Sequence, residues 1–219
     1  MSELKLIIGN RNYSSWSLRA WLVMRQSGLA FAEEMIPLDL PDTRDRLHAA
    51  SAAGRVPVLN DNNLVIWDTL SIIEYLGETC PDRGIWPSEP EDRALARSVS
   101  AEMHSSFFAL RGEMPMNIRA VDRHLDLSEG AVNDIARVQE IWQTCLARDN
   151  RDGPFLFGSF CAADAMYAPV VARFHSYGVH MDATCQAYAD AVWNTENMIW
   201  WRAASAEESW TIPGEEAGI

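Results

Sequence analysis

The sequence predicts an α/β unit followed by an all-helical one, and three observations carry that prediction. Strand-like and helix-like patterns alternate through the first 80 residues. The stretch PDRGIWPSEP, residues 81–90, then places three prolines and a glycine together, the composition of a linker. Beyond it strand signal almost vanishes and long segments of helical spacing take over, so the expected division is 1–80, a linker 81–90, and 91–219.

Leu4 to Ile8 is a compact apolar run closed by Gly9-Asn10 and reads as a buried strand. From Ser15, the residues Leu18, Trp21, Leu22 and Arg25 repeat at helical spacing, with Gly28 as a stop. Phe31 to Leu38 reads as a second strand, and Asp42 to Ala53, mixed in charge and rich in alanine, as a short, partly exposed helix. Val56 to Asn60 and Leu64 to Trp67 form the arms of a hairpin around Asp61-Asn62-Asn63, residues that tolerate positive φ. Asp68 or Thr69 then caps a helix bearing Leu70, Ile72, Ile73 and Leu76. The order β-α-β-α-β-β-α implies a parallel crossover followed by an antiparallel hairpin. In the second half, Glu91–Met114 reads as one long helix, followed by Ser128–Arg148, Cys161–Tyr177, Asp182–Trp193 and Glu196–Ala206.

Composition excludes several classes. With 219 residues, 48% of them apolar, the chain has ample material for a core. A net charge of −13 argues against nucleic acid and against anionic membrane surfaces, both of which call for a basic footprint. Cys80, Cys145, Cys161 and Cys185 show neither C-x-x-C nor zinc spacing, so reduced buried thiols and no metal are expected. The N-terminal apolar run is too short for a signal peptide and no stretch reaches membrane-spanning length, which leads to the expectation of a cytoplasmic protein.

The chemistry concentrates in two places. The loop Asn10–Arg19 joins the first strand to the first helix at the strand's C-terminal end, where α/β units bind ligands. Its serines could serve as caps, or point a hydroxyl at a sulfur and, with the helix N-terminus, favour the thiolate. The second place is GRVPVLNDNNLVIWDTLSIIEYL, residues 54–76. Pro57 cannot donate to a sheet ladder. With a cis Val56–Pro57 bond, the Val56 backbone would offer its N–H and C=O to something extended, beside a helix start that favours an anion.

The string R-V-P-V-L, a turn, a polar pair and S-I-I-E-Y-L resembles the glutathione-binding half of the glutathione S-transferase family. The resemblance implies a thioredoxin-like N-terminal domain followed by an all-helical substrate-binding domain, with glutathione as co-substrate. It implies glutathione contacts from Arg55, Val56 and Pro57, with the Val56 backbone pairing the cysteinyl unit, and from Asp68 and Thr69 at the γ-glutamyl end. The family has Glu or Gln followed by Ser at this pair. The S-S-x-S-x-R pattern is similar to the serine-using, zeta-type branch, matching Ser14, Ser15 and Arg19, while Trp16 stands where that branch has cysteine. The resemblance makes Ser14 or Ser15 the residue that activates the thiol, with Tyr13 as competitor. Ser17 reads as lying inside the first helical turn, which leaves Ser14 and Ser15 facing the slot, and Ser14 is preferred.

Tyr13, Trp16, His104, Phe107 and Phe108 are further candidates for the substrate pocket; for His104 a surface or packing role is the competing reading. Met114 and Met116 either line the same apolar pocket or belong to the core, and the aromatic tail Trp193, Trp200, Trp201 and Trp210 reads as packing against the helical domain. Phe160-Cys161-Ala162-Ala163-Asp164 resembles the helix-starting box of the family's second domain, with Cys161 in place of a hydroxyl at a cost of about 1 kcal/mol.

The activity implied is conjugation of glutathione to small apolar electrophiles by a homodimer. Two alternatives are a glutathione-dependent cis–trans isomerase of the maleylacetoacetate type, and a non-catalytic module that binds glutathione or a protein. The isomerase branch anchors its diacid with an arginine seven residues after the box-helix proline. Counting from Pro169 reaches Ser176, with Arg173 a turn earlier.

Overall fold

The computed structural model describes residues 4–149 and 151–218; the outermost limits of the expected division, residues 1 and 219, lie outside them. Its first half runs β1 (Leu4–Ile8), α1 (Ser15–Gln26), β2 (Ala32–Met35), α2 (Thr43–Ala50), β3 (Val58–Asp61), β4 (Leu64–Trp67) and α3 (Thr69–Thr79). The sheet order is β2-β1-β3-β4, with β1 parallel to β2 and antiparallel to β3. Leu6 pairs with Glu33 on one side and Leu59 on the other.

Both faces of this sheet are covered, which is why β1 is apolar at every position but Lys5. Leu6 and Ile8 join the main core with Leu18, Leu22, Ile72 and Ile73 of α1 and α3. Ile7 points the other way into a small cluster with Ile36 and Val58, roofed by Leu47 and Ala50 of α2. The elements keep the expected order, with shorter bounds for β2, α2 and β3.

After a single 3₁₀ turn at Pro81–Arg83 come α4 (Pro90–Ser105), α5 (Phe108–Glu113), α6 (Glu129–Leu146), α7 (Ala162–Ser176), α8 (Ala183–Trp193) and α9 (Glu196–Ala206). The expected long helix over 91–114 is therefore two helices. Phe107 adopts a left-handed conformation, φ 60°, which α-helical geometry cannot contain, and its ring turns into the core. Trp142 organises the helical core, with Tyr167, Phe174 and Tyr188 around it at 4.9–6.0 Å between ring centroids.

At the start of α7 both halves of the capping box are in place geometrically, but only Asp164 makes a full hydrogen bond, from the Cys161 N–H at 2.8 Å. Burial pushes the Asp164 carboxyl up to about 6, against the pull of the amides of Leu156 and Cys161 that it accepts. The aromatic tail departs from expectation. Trp200 stacks on Trp21 of α1 at 4.9 Å, and Trp201 packs against the same ring while its indole N–H donates to the Arg11 carbonyl. The tail thus braces the loop after β1 as well as the helices. All four cysteines are free thiols, three of them buried.

Candidate active site

The β1–α1 loop is held from both sides before it reaches its serines. The Asn10 carbonyl accepts the Ser14 N–H at 2.8 Å, and the Asn10 amide oxygen accepts the Leu38 N–H at 2.7 Å. Buried Glu208, just beyond α9, takes the N–H groups of Arg11 and Asn12 on its two oxygens, at 2.8 and 3.2 Å. The Asn12 side chain bonds Asn117 and the Arg119 N–H. A carboxylate nearly 200 residues away in sequence thus satisfies loop amides that no regular element could pair.

Ser14 is the N-cap of α1 and is almost fully buried. Its oxygen accepts the Ser17 N–H at 3.4 Å, and its hydroxyl donates to Ser17 Oγ at 2.8 Å. Capping and thiol activation look like competing duties in sequence. The cap uses an oxygen lone pair and the hydroxyl proton goes to Ser17, so activation of a thiol requires that proton to turn from Ser17 to the cleft. Ser15, the first helical residue, is half-buried beside it. Tyr13 is differently engaged: its phenol donates to Glu216 at 2.6 Å and receives Arg119 at 3.1 Å. Its proton is committed to the C-terminal segment.

Ser14 and Ser15 open onto a cleft of about 540 Å³ whose walls include Tyr13, Trp16, Leu38, Arg55, Val56 and Phe108. A second cleft of about 550 Å³ shares Trp16, Arg55, Val56 and Arg111 with it, and adds Pro57, Asp68, Thr69 and His104. Arg55, Val56, Pro57, Asp68 and Thr69 therefore sit with the serines around one continuous groove. The Val56–Pro57 bond is cis.

Asp68, with φ 73°, is the cap of α3, and one of its oxygens takes the N–H groups of Leu70 and Ser71 at 2.9 and 3.2 Å. Its other oxygen lies 3.4 Å from His104 Nε2. The Thr69 hydroxyl is buried and donates to the Trp16 carbonyl at 2.9 Å, tying the two helix starts together. Thr69 consequently has only its backbone to offer a ligand. His104 meets the edge of the Trp16 ring at 5.2 Å, so α4 contributes to the groove. Of the two phenylalanines expected here, Phe108 is 73% exposed on the groove wall, whereas Phe107 belongs to the core together with Met114 and Met116.

The groove also gathers residues that the sequence did not mark as its lining. Arg111 and Arg173 both line the first cleft, and fully buried Arg19 lies behind Trp16, its guanidinium 4.3 Å from the ring centroid. Arg111 stands over the same ring at 4.9 Å. Neither terminal nitrogen of Arg19 has a hydrogen-bond partner among the described residues, and its Nε donates to the Met166 carbonyl. Burial, then Arg173 and Arg111, hold Arg19 well below the usual guanidinium value, and burial with Arg111 brings Arg173 to about 10. Glu215, from the C-terminal segment, closes one side; burial raises its carboxyl while Arg173 pulls it the other way. These residues come from α1, α5, α7 and the tail, and no local motif joins them. Among the described residues, no group of three or more His, Cys, Asp or Glu side chains could hold a metal.

The assembly sets a hydroxyl at one helix start and a carboxylate at another across a cis-proline backbone, and comparisons with known proteins give its fold. Residues 13–79 match the family model described as Glutathione S-transferase, N-terminal domain. The whole chain has the glutathione transferase fold. It superposes with a TM-score of 0.72 on a glutathione transferase homologue from Burkholderia solved with bound glutathione, at 22% identity over 94% of this chain and 100% of that one. Among curated relatives, Glutathione S-transferase L2, chloroplastic, of Arabidopsis thaliana is 26% identical over 161 residues, 71% of this chain and 49% of the relative. A probable maleylacetoacetate isomerase of Caenorhabditis elegans is 31% identical over 100 residues, 46% of this chain and 47% of the relative. The chain thus aligns with about half the length of each of these two. No helix among the described residues is long and apolar enough to cross a membrane.

Proposed function

We propose that the protein is a glutathione S-transferase that adds the glutathione thiolate to a small electrophile. In this reading residues 1–80 hold glutathione, 81–90 link, and 91–219 supply the electrophile pocket. The Val56 backbone pairs with the cysteinyl unit, Asp68 and the Thr69 amide take the γ-glutamyl end, and Arg55 and Pro57 complete the wall. Ser14, with Ser15 as reserve, donates to the sulfur. The observation that carries the reading is Ser14, a hydroxyl residue at the N-terminus of α1, lining the same cleft as Val56. An O–H donor and a positive helix end are what a thiolate requires. Calorimetric titration with glutathione tests it: saturable binding together with turnover of an electrophile panel is expected, and absence of binding overturns it. Binding with no turnover across the panel would favour the non-catalytic module.

A second reading is favoured by Arg19, Arg111 and Arg173. Two guanidiniums on the cleft wall, with that of Arg19 buried behind Trp16, in a chain of net charge −13 invite an anion, so the electrophile is expected to carry a carboxylate beside its apolar part. Glutathione-dependent isomerisation of an unsaturated diacid belongs to this reading; Trp16 at the branch's cysteine position counts against it. Parallel assays with a cis-dienoic diacid and neutral model electrophiles decide the order. A cytoplasmic homodimer completes the proposal. The dimer is supported by the apolar edge strand β4, where Leu64, Val65 and Trp67 are all exposed. Sedimentation at micromolar concentration is expected to give a dimer, and a monomer removes that part.

A further inference from the structure

We propose that Glu215 is a specificity-determining residue of the electrophile pocket, where its carboxylate favours electrophiles that carry one carboxylate over those that carry two. The inference rests on the reading in which the electrophile is an acid, and it names which acids the pocket takes.

The charges divide between the two clefts. Arg55 and Arg111 line both of them, whereas Arg173 and Glu215 line the first alone. Arg55 is exposed and belongs to the proposed glutathione wall, and glutathione brings two carboxylates of its own. Arg173 is almost fully buried, and its Nε and Nη1 donate to the carbonyls of Met114 and Pro169 at 2.7 and 3.1 Å. Arg111 gives Nη1 to the Ser106 carbonyl at 3.2 Å. Carbonyls satisfy N–H groups and leave the charge uncompensated. Among the described residues, no ion pair involves Arg111, Arg173 or Glu215. Burial works against the charge on Arg173 and on Glu215, and the field of each supports the charge of the other. On the electrophile side, therefore, two cations face one carboxylate, which leaves a place for a single ligand carboxylate.

Glu215 is also held where it is. It ends the 3₁₀ turn Pro213–Glu215, and its N–H donates to the Ile212 carbonyl at 2.9 Å. On one side of it Arg119 grips the Trp210 carbonyl at 2.8 Å, and on the other the Glu216 carboxylate takes Tyr13, Asn117 and Arg123. A carboxylate on a loose tail would retreat before an anion, whereas one on a tethered segment repels it. The first carboxylate of a ligand meets Arg111 and Arg173; a second, on the same small molecule, meets Glu215. Selectivity of this kind comes from a repulsive group as much as from the attractive ones.

The test uses fumaric acid, its monoethyl ester and its diethyl ester as electrophiles. In each, the thiolate forms an S–C bond at one alkene carbon, the π pair moves to the other, and that carbon takes a proton from water. The readout is the ratio of kcat/KM for the diacid to that for the half-ester, compared with the same ratio in wild type so that intrinsic reactivity cancels. In Glu215→Gln the ratio is expected to rise about tenfold, the scale of one like charge nearby in a partly exposed cleft. Glu215→Asp, which keeps the charge, should stay within about threefold of wild type. Where the acids turn over too slowly to time, their inhibition constants against diethyl fumarate give the same ratio. A purely structural Glu215 would change all three substrates together and leave the ratio alone, and an unchanged ratio in Glu215→Gln overturns the proposal. Arg111→Gln separates this from failure of the underlying reading: it should lower kcat/KM for the half-ester relative to the diethyl ester. If it does while Glu215→Gln changes nothing, the acid-binding reading stands without the filter; if it does not, the acid-binding reading itself has failed.

Discussion

Two helices begin at the groove, and they are capped by opposite kinds of group. At α1 the cap is a neutral hydroxyl, Ser14, accepting one helix amide. At α3 it is a carboxylate, Asp68, one oxygen of which takes two amides. Both helix starts carry the same partial positive charge from their unpaired N–H groups. A hydroxyl leaves most of that charge in place, whereas a carboxylate over-compensates it. The cap therefore decides which ligand charge each end attracts: an anion such as a thiolate at α1, and a cation such as an ammonium at the second oxygen of Asp68. One groove can in this way sort the two ends of a ligand that carries both charges, and the Thr69 hydroxyl on the Trp16 carbonyl fixes the spacing between the two starts.

The comparison is most sharply broken at α1. Ser14→Ala removes the donor and the cap together, and is expected to lower turnover by roughly 10²–10³-fold, the usual effect of losing one well-aimed donor to a developing anion. Glutathione affinity should change little, because the ligand's other contacts remain. Steady-state kinetics separates the two. If turnover survives in Ser14→Ala and is lost in Ser15→Ala, the sulfur site is one residue further along the helix and the neutral-cap argument moves with it.

A smaller effect is expected at α3. Asn caps helices as well as Asp and tolerates positive φ, so Asp68→Asn should keep the helix start intact while removing its charge. The measurable loss should be in affinity: the dissociation constant for glutathione rises by about tenfold, the scale of a hydrogen bond to a charged group, with kcat retained. An unchanged dissociation constant would show that the second oxygen of Asp68 serves His104 alone.

How much of this was legible beforehand differs between local and distant features. The strands, the hairpin and the paired polar residues at 68–69 announce themselves through periodicity and turn chemistry, because their signals lie within a few residues. The break at Phe107 does not, since a bulky aromatic in the left-handed region has no propensity to betray it. The polar pair was visible, but that Asp68 caps while the Thr69 hydroxyl faces away from the groove depends on a carbonyl 53 residues earlier. Arg19, Arg111 and Arg173 converge only after three helices pack, and the grip of Glu208 on the loop spans nearly the whole chain. Tyr13 shows the same limit in reverse: its position in the loop made it a competitor, and a carboxylate 203 residues away engages its proton.

Tyr13→Phe therefore gives the smallest predicted effect and the cleanest control. The phenol donates to Glu216 at 2.6 Å and accepts from Arg119 at 3.1 Å, so deleting the hydroxyl removes two hydrogen bonds. Neither partner is stranded. Glu216 keeps the Asn117 amide at 2.9 Å and Arg123 at 2.7 Å, and Arg119 keeps the carbonyls of Glu208 and Trp210. The cost should then lie near the lower end for a net hydrogen bond, about 0.5–1 kcal/mol, since no buried charge is left unpaired. In a chain of this size that corresponds to a fall in melting temperature of roughly 1–4 °C, measurable by thermal denaturation. Turnover should stay within about twofold of wild type, because the proposed function assigns thiol activation to Ser14 and a single lost tie leaves the loop held by Glu208 and Asn117. Loss of turnover in Tyr13→Phe at near-normal stability would mean that the phenol leaves Glu216 when glutathione binds, and the neutral cap on α1 would no longer be the origin of thiolate stabilisation.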